Sequence, residues 1–327
     1  MLNYLFRRLG YMLVTLVIVT ILGYTIIELP PGSYVETEVL RLRRQGGNMS
    51  MEQVEALYRR YGLDQPTYVR FWKWISGFVR GDFGEAFAYN LPVSELIGSR
   101  LGFTMLISLL TLIFSWVVAI FIGVYSATHR YTAPDYLITV LQFIGLSVPN
   151  FILALILMMF FQQVLDVEVG GLFSRAYENA PWSFAKFIDL VNHLWIPIIV
   201  IGASGTAWLS RVMRANLLDV LGMQYVQTAR AKGLKENKVI WKHAVRNAIH
   251  PLIMVLGASL PAIISGETIV AIVLNLPTTG PLYFQALLRQ DMYLAGTFLM
   301  FLAIMLLVGN LLADMLLAWV DPRIRYE

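Results

Sequence analysis

Residues 225–247 read YVQTARAKGLKENKVIWKHAVRN, a basic, half-apolar stretch punctuated by Gly233. Long apolar runs, 194–218 and 248–275, lie on either side. A cationic segment between two such runs marks a membrane chain, and its fold follows from counting the runs. A spanning helix needs about 20 apolar residues, because each adds ~1.5 Å to a path of ~30 Å. Six stretches reach that length: 9–29, 101–125, 137–165, 194–218, 248–275 and 296–320. The third and fifth exceed one crossing. Pro149 lies in the third, Pro251 and Pro261 in the fifth, so tilt or a kink is expected in both.

Composition agrees. Of 327 residues, 57% are hydrophobic and 14% charged, whereas a soluble domain carries about 25% charged residues. Mean hydropathy is +0.64. The net charge of +4 comes from basic residues gathered in particular loops, which indicates membrane topology rather than nucleic acid. With no Cys, a disulfide framework and a thiolate metal site are excluded. The four His, at 129, 193, 243 and 250, form no i, i+4 pair, so no metal site is expected. No G-x-S-x-G or comparable catalytic constellation is present, and no catalytic residue is assigned.

Orientation follows from Lys and Arg in the short loops. Arg7 and Arg8 precede the first span, Arg130 lies between the second and third, and Arg323 and Arg325 follow the sixth. Arg230, Lys232, Lys235, Lys238, Lys242 and Arg246 lie between the fourth and fifth. The alternate loops, 166–193 and 276–295, are poorer in basic residues. Both termini and the 225–247 connector are therefore expected on the cytoplasmic side. The apolar run 9–29 is longer than the ~7–15 residues of a signal-peptide core, and no small-residue cleavage site follows it, so it is expected to remain as the first span.

The implied division is an N-terminus and first span (1–29), an external segment (30–100), a five-helix core (101–320) and a cytoplasmic tail (321–327). The external segment is long enough to need its own structure. Ser50 and Gln53 form a capping-box pattern, Val54, Leu57, Tyr58 and Tyr61 share a face, and Gly62 suits a helix stop. The next amphipathic run, YVRFWKWISGFVRG, places Trp72, Trp74 and Phe78 where they suit a headgroup zone or packing against the span ends. RLRRQGGN (41–48) is expected to be flexible. No internal repeat is evident.

Within the connector, Tyr225–Lys232 suits two helical turns ended by Gly233. A second helix from about Glu236 would turn Val239, Ile240, Ala244, Val245, Ala248 and Ile249 to the apolar side, with Lys238, Lys242 and Arg246 on another face. Such a segment can rest on anionic lipid or be gripped by a partner protein; composition does not separate the two.

The order of residues does. YVQTARAKGL followed by HAVRNAIHP resembles the coupling signature of permease subunits in ATP-binding-cassette importers, in which Glu-Ala-Ala, three residues and Gly correspond to Gln227, Thr228, Ala229 and Gly233. The Ala-Arg-Ala-Lys-Gly variant is similar to the dipeptide and oligopeptide branch. RYGLDQP (60–66), FVRGDFGEAF (78–87), LPVSELIGSRLGFTMLIS (91–108), LSVPNF (146–151) and AWVDPRIRYE (318–327) extend the likeness along nearly the whole chain. PPGSYVE stands where many relatives have Pro-Gly-Asp-Pro.

The resemblance implies an all-α membrane fold of six transmembrane helices, with type I importer architecture and a helical external segment between helices 1 and 2. It implies a second homologous permease, two cytoplasmic ATP-binding subunits, an external substrate-binding protein and membrane lipid as partners. Cargo would be dipeptides or oligopeptides, or oligosaccharides. No phosphate-cradling G-x-x-x-x-G-K-[ST] occurs, so this chain would bind no cofactor, and ATP and Mg would sit in the partner subunits. Residues 225–242 would form the coupling helix, with Tyr225, Gln227, Thr228, Ala229, Arg230, Ala231, Lys232 and Gly233 as its contacts.

Pathway candidates come from polar residues within the spans. The runs GASGTAWLS (202–210) and GASLPAIISG (257–266) suit either tight helix packing or a translocation path. Asn150, Ser204, Ser259, Ser265 and Glu267 are the pathway or gate candidates. Glu267 must face the bundle, pair, or lie near an end; Asp314 would pair with a residue such as Arg211 or Arg214. A stand-alone secondary transporter is the alternative, though it would lead one to expect internal repeats and a relay of ionisable groups.

Overall fold

The computed structural model describes residues 2–164 and 170–320. The chain begins with α1 (Leu2–Glu28), α2 (Tyr34–Arg44), α3 (Met51–Arg60) and α4 (Thr67–Arg80). A small hairpin of β1 (Glu85–Ala86) and β2 (Leu91–Pro92) leads into α5 (Val93–Thr128), α6 (Ala133–Ser147), α7 (Asn150–Val164) and α8 (Phe184–Leu221). The connector holds α9 (Gln224–Ala231), α10 (Glu236–Lys238), a π-helix (Val239–Ala244) and α11 (Val245–Ala248). α12 (His250–Val273), α13 (Thr279–Leu288) and α14 (Met292–Val320) complete the fold.

Four helices, α1, α5, α8 and α14, are each long and apolar enough to cross a membrane. The pair α6–α7 and the two halves of α12 raise the number to six if each bent pair is one crossing. The architecture is that of an all-α, multi-pass membrane protein. The third stretch is not one kinked helix: α6 and α7 meet at 107°. Val148, which precedes Pro149, is extended at φ −88°, ψ 120°, because the proline ring disfavours the helical region for the residue before it. Pro261 lies within α12, between segments bent by 57°. Pro251 instead opens that helix, where its missing N–H costs nothing.

Several helices overrun their apolar stretches. α8 has 38 residues, about 57 Å at ~1.5 Å per residue. It starts within the expected loop 166–193, where the Ser183 side chain accepts from the Lys186 N–H at 3.2 Å. The expected loop 276–295 contains α13. The first half of the stretch 41–48 is helical, since α2 runs to Arg44, and Arg41 pairs with Glu38. The tail 321–327 lies outside the described residues.

The chain forms two compact units. One comprises Phe103–Pro277 and the chain from Leu306. In it α8 is central, packing against α6, α7 and α12. The α6–α8 contact is polar at two depths: Gln142 donates to Ser210 Oγ at 2.9 Å, and Arg214 pairs with buried Asp135 at 2.9 Å. Asp135 also accepts from the Tyr131 N–H. Arg214 thus ties α8 to α6, and Arg211 lies over the Phe143 ring at 4.8 Å.

The second unit comprises Leu2–Gly102 and Thr278–Met305. The capping box of α3 forms as its pattern predicts: the Ser50 N–H donates to Gln53 Oε1 at 2.9 Å and the Gln53 N–H to Ser50 Oγ at 3.2 Å. Tyr34, Tyr61 and Phe87 make an aromatic cluster with centroids 4.6–5.4 Å apart, against which Val54, Leu57 and Tyr58 pack.

Asp291, fully buried ahead of α14, accepts from the backbone N–H groups of Leu294 (3.2 Å) and Ala88 (3.4 Å). Burial pushes its carboxyl up to about 6, against the pull of these bonds and of Arg289; Tyr34 and Tyr61 are the other titratable groups that feel its charge. A carboxyl raised in the fold contributes stability that is complete below its unfolded value and is lost as pH rises through about 6. A raise of this size corresponds to about 3 kcal/mol. In thermal unfolding between pH 4 and 7, Asp291 should contribute a component of stability that falls as pH rises. Asp291→Asn, which keeps an acceptor oxygen, should lack that part of the slope.

Candidate functional site

Two features stand out in the first unit. The first is a cavity of about 340 Å³ between α5, α7, α8 and α12. Thr111, Ser115, Asn150, Ser204 and Ser259 supply its polar lining, and Trp116 and Trp208 its aromatic lining. Among the described residues, no charged side chain lines it. Asn150 donates to the Ile201 carbonyl at 3.3 Å, fixing the start of α7 against α8. Thr111 Oγ1 is buried with no hydrogen-bond partner among the described residues, a state that costs free energy unless a guest or solvent supplies the bond.

Of the five sequence candidates, Asn150, Ser204 and Ser259 come together here. Ser265 is exposed and Glu267 fully buried, and neither lines the cavity. Sequence reasoning missed α5. Thr104, Ser108, Thr111 and Ser115 are all buried and recur at i, i+4, i+7, i+11, a polar stripe on one helical face that was legible from spacing alone.

The two small-residue runs divide between packing and cavity. A Cβ at Gly202 would stand 2.8 Å from Ser115 Oγ, and one at Gly257 would stand 2.5 Å from backbone atoms of Asn310. These glycines let helices touch. A Cβ at Gly205 or Gly266 meets nothing within 4 Å, and both line the cavity.

The second feature is α9. Val226 and Ala229 are buried in a cluster that includes Leu217 of α8, Val239 and Ile240 of the π-helix and Leu252 of α12. Tyr225, Gln227, Thr228, Ala231, Lys232 and Gly233 are exposed. The helix ends as the glycine predicts: Gly233 is left-handed at φ +74°, and its N–H donates to the Arg230 carbonyl at 2.9 Å. Arg230 closes the turn by a two-nitrogen grip on Glu236, with Nη2–Oε1 at 2.6 Å. This grip holds the Glu236 carboxyl below its usual range. Tyr225 OH accepts from Asn247 at 2.6 Å, tying α9 to α11.

The chain after α9 is not one regular helix. A six-residue π-helix separates α10 from α11. The buried pairs Val239–Ala244 and Ile240–Val245 are five apart. That spacing drifts off one face in an α-helix but suits i→i+5 winding. Lys238, Lys242 and Arg246 remain exposed, although α-helical spacing does not run through them.

Comparison with known proteins agrees with this geometry. The profile of the binding-protein-dependent transport system inner membrane component matches residues 119–326, and that of its N-terminal region matches residues 1–108. The oligopeptide transport system permease protein AppB of Bacillus subtilis (strain 168) is 37% identical over 99% of each chain. The glutathione transport system permease protein GsiC is 32% identical in Salmonella paratyphi A and 31% in Escherichia coli (strain K12), over the full length of both chains. A helical membrane core, a turn-terminated helix between α8 and α12, and full-length similarity converge: the chain belongs to the binding-protein-dependent transport inner membrane components, as a permease subunit of an ATP-binding-cassette importer.

Proposed function

We propose that this subunit supplies half of a peptide pathway and moves it by force applied to α9. One of two cytoplasmic ATP-binding subunits grips the exposed face of α9, a second permease completes the pathway, and an external binding protein delivers cargo. Both termini and α9 then lie on the cytoplasmic side. The observation that carries this reading is the division of α9 into a face locked into the α8–α12 core and a face left exposed. Because α8 and α12 also line the cavity, a displacement of α9 reaches the cavity wall through packed side chains, as rigid-body coupling requires.

Peptide cargo is supported by relatives named for oligopeptide and glutathione transport. The uncharged hydroxyl, amide and indole lining suits amide-bearing solutes of varied side chain. The test is purification followed by reconstitution. ATP-binding subunits should co-isolate with the chain, and peptide uptake into vesicles should require both ATP and the binding protein. Uptake by the isolated chain, without ATP, would refute the proposal.

A further inference from the structure

Helix α4 has three sides. At 3.6 residues per turn, Arg70, Phe71, Trp74, Gly77 and Phe78 fall on one sector, Lys73, Ser76 and Arg80 on a second, and Tyr68, Trp72, Ile75 and Val79 within an arc of about 60° on a third. The first sector is packed. Trp74 is buried against Tyr24 and Phe71, and Phe78 touches Phe83 and Phe301. The second carries Lys73, Ser76 and Arg80, all exposed, with half-buried Val69 among them. The third is apolar, yet Tyr68, Trp72 and Val79 are 69, 67 and 79% exposed.

The sequence left Trp72, Trp74 and Phe78 together between a headgroup zone and packing against the span ends, and the helix divides them. Trp74 and Phe78 serve the interior; Trp72 is joined outside by Tyr68 and Val79.

The depth of α4 is fixed by the end of α1. Arg70 holds Glu28, the last residue of α1, through two bonds of 2.5 and 3.1 Å, and Tyr24 OH donates to the Thr67 carbonyl at 3.3 Å. The exposed apolar surface of α1 runs through Leu22 and Ile26 to Leu29. α4 is therefore held at the level where the hydrocarbon-facing surface of α1 ends. An apolar sector rich in Tyr and Trp, beside a sector bearing Lys73, Ser76 and Arg80, matches the chemistry of the headgroup–acyl boundary.

We propose that α4 lies in the membrane–water interface, with Tyr68, Trp72 and Val79 seated in phospholipid and Lys73, Ser76 and Arg80 in water. Arg70 and Tyr24 make it a depth stop for α1.

The chain's lack of cysteine allows a direct test. Single cysteines are placed at 68, 72, 73, 76, 79 and 80 of the full chain, nitroxide-labelled, and reconstituted in phosphatidylcholine–phosphatidylglycerol bilayers, alone and co-assembled with the transport partners. Labels at 68, 72 and 79 should collide with oxygen several-fold more readily than with a water-soluble nickel chelate, and labels at 73, 76 and 80 the reverse. Readier collision with nickel at 68, 72 and 79 would overturn the proposal in favour of an aqueous face. Shielding from both reagents only in the co-assembled sample would overturn it in favour of a protein partner. The labelled sites are exposed, so folding is preserved; unlabelled Trp72→Ser, followed by thermal unfolding, checks this.

Discussion

Gly257→Val is expected to leave almost no folded protein. A Cβ at this position would lie 2.5 Å from both the Cα and the N of Asn310, and one at Gly309 would lie 2.5 Å from the Gly257 carbonyl oxygen. Two helices meet here backbone to backbone. Overpacking usually costs about 1–3 kcal/mol when side chains can swing aside. Here main-chain atoms would have to move, so the cost should exceed that range and consume much of a stability of about 5–15 kcal/mol. Size-exclusion profiles in detergent should show aggregate in place of a monodisperse peak. Gly205→Ala and Gly266→Ala are the controls. Their Cβ atoms meet nothing within 4 Å, so both should fold, and any loss of uptake in them reports on the cavity rather than on packing.

Gly233→Asp is expected to abolish coupled transport while leaving the subunit folded. Gly233 sits at φ +74° with open space around a Cβ, so the internal cost is confined to a left-handed residue, about 1–2 kcal/mol. The surface next to it is basic, with Lys232 and Lys235 exposed. The new carboxylate therefore adds bulk and reverses charge where the ATP-binding subunit is proposed to grip. Uptake should fall at least about tenfold, a change of about 1.4 kcal/mol in coupling, either with ATPase activity no longer tied to substrate or with the ATP-binding subunits lost on purification. Asn tolerates the left-handed region better than Asp, so Gly233→Asn tests whether backbone strain or the partner surface is responsible. Normal uptake by the Asp variant would remove α9 from the coupling role.

Much of the site could be read before any coordinates. Gly233 announces a helix stop because a residue with no Cβ adopts positive φ freely, and the Ser50–Gln53 spacing announces a capping box because both bonds are local. Arg230 was legible as a basic residue of the connector. That it closes on Glu236, six residues away, depends on how Gly233 turns the chain. Ser265 and Ser259 look alike in composition, yet only Ser259 reaches the cavity, on the face it shares with Val255, Ala262 and Gly266; six residues further on, Ser265 has rotated about 240° round the helix, off that face.

The apolar stretches, the basic connector and the Pro and Gly positions determined on their own that this is a helical membrane protein with a turn-terminated helix between α8 and α12. Those are properties of hydrocarbon thickness, side-chain transfer and backbone freedom, and each is written within a few residues. Tertiary structure alone decided which glycines touch a neighbouring helix, which hydroxyls share a cavity, and which face of α4 stays bare. Each of these depends on residues far apart in the chain meeting across a helix interface, and a local pattern cannot encode which neighbour will arrive.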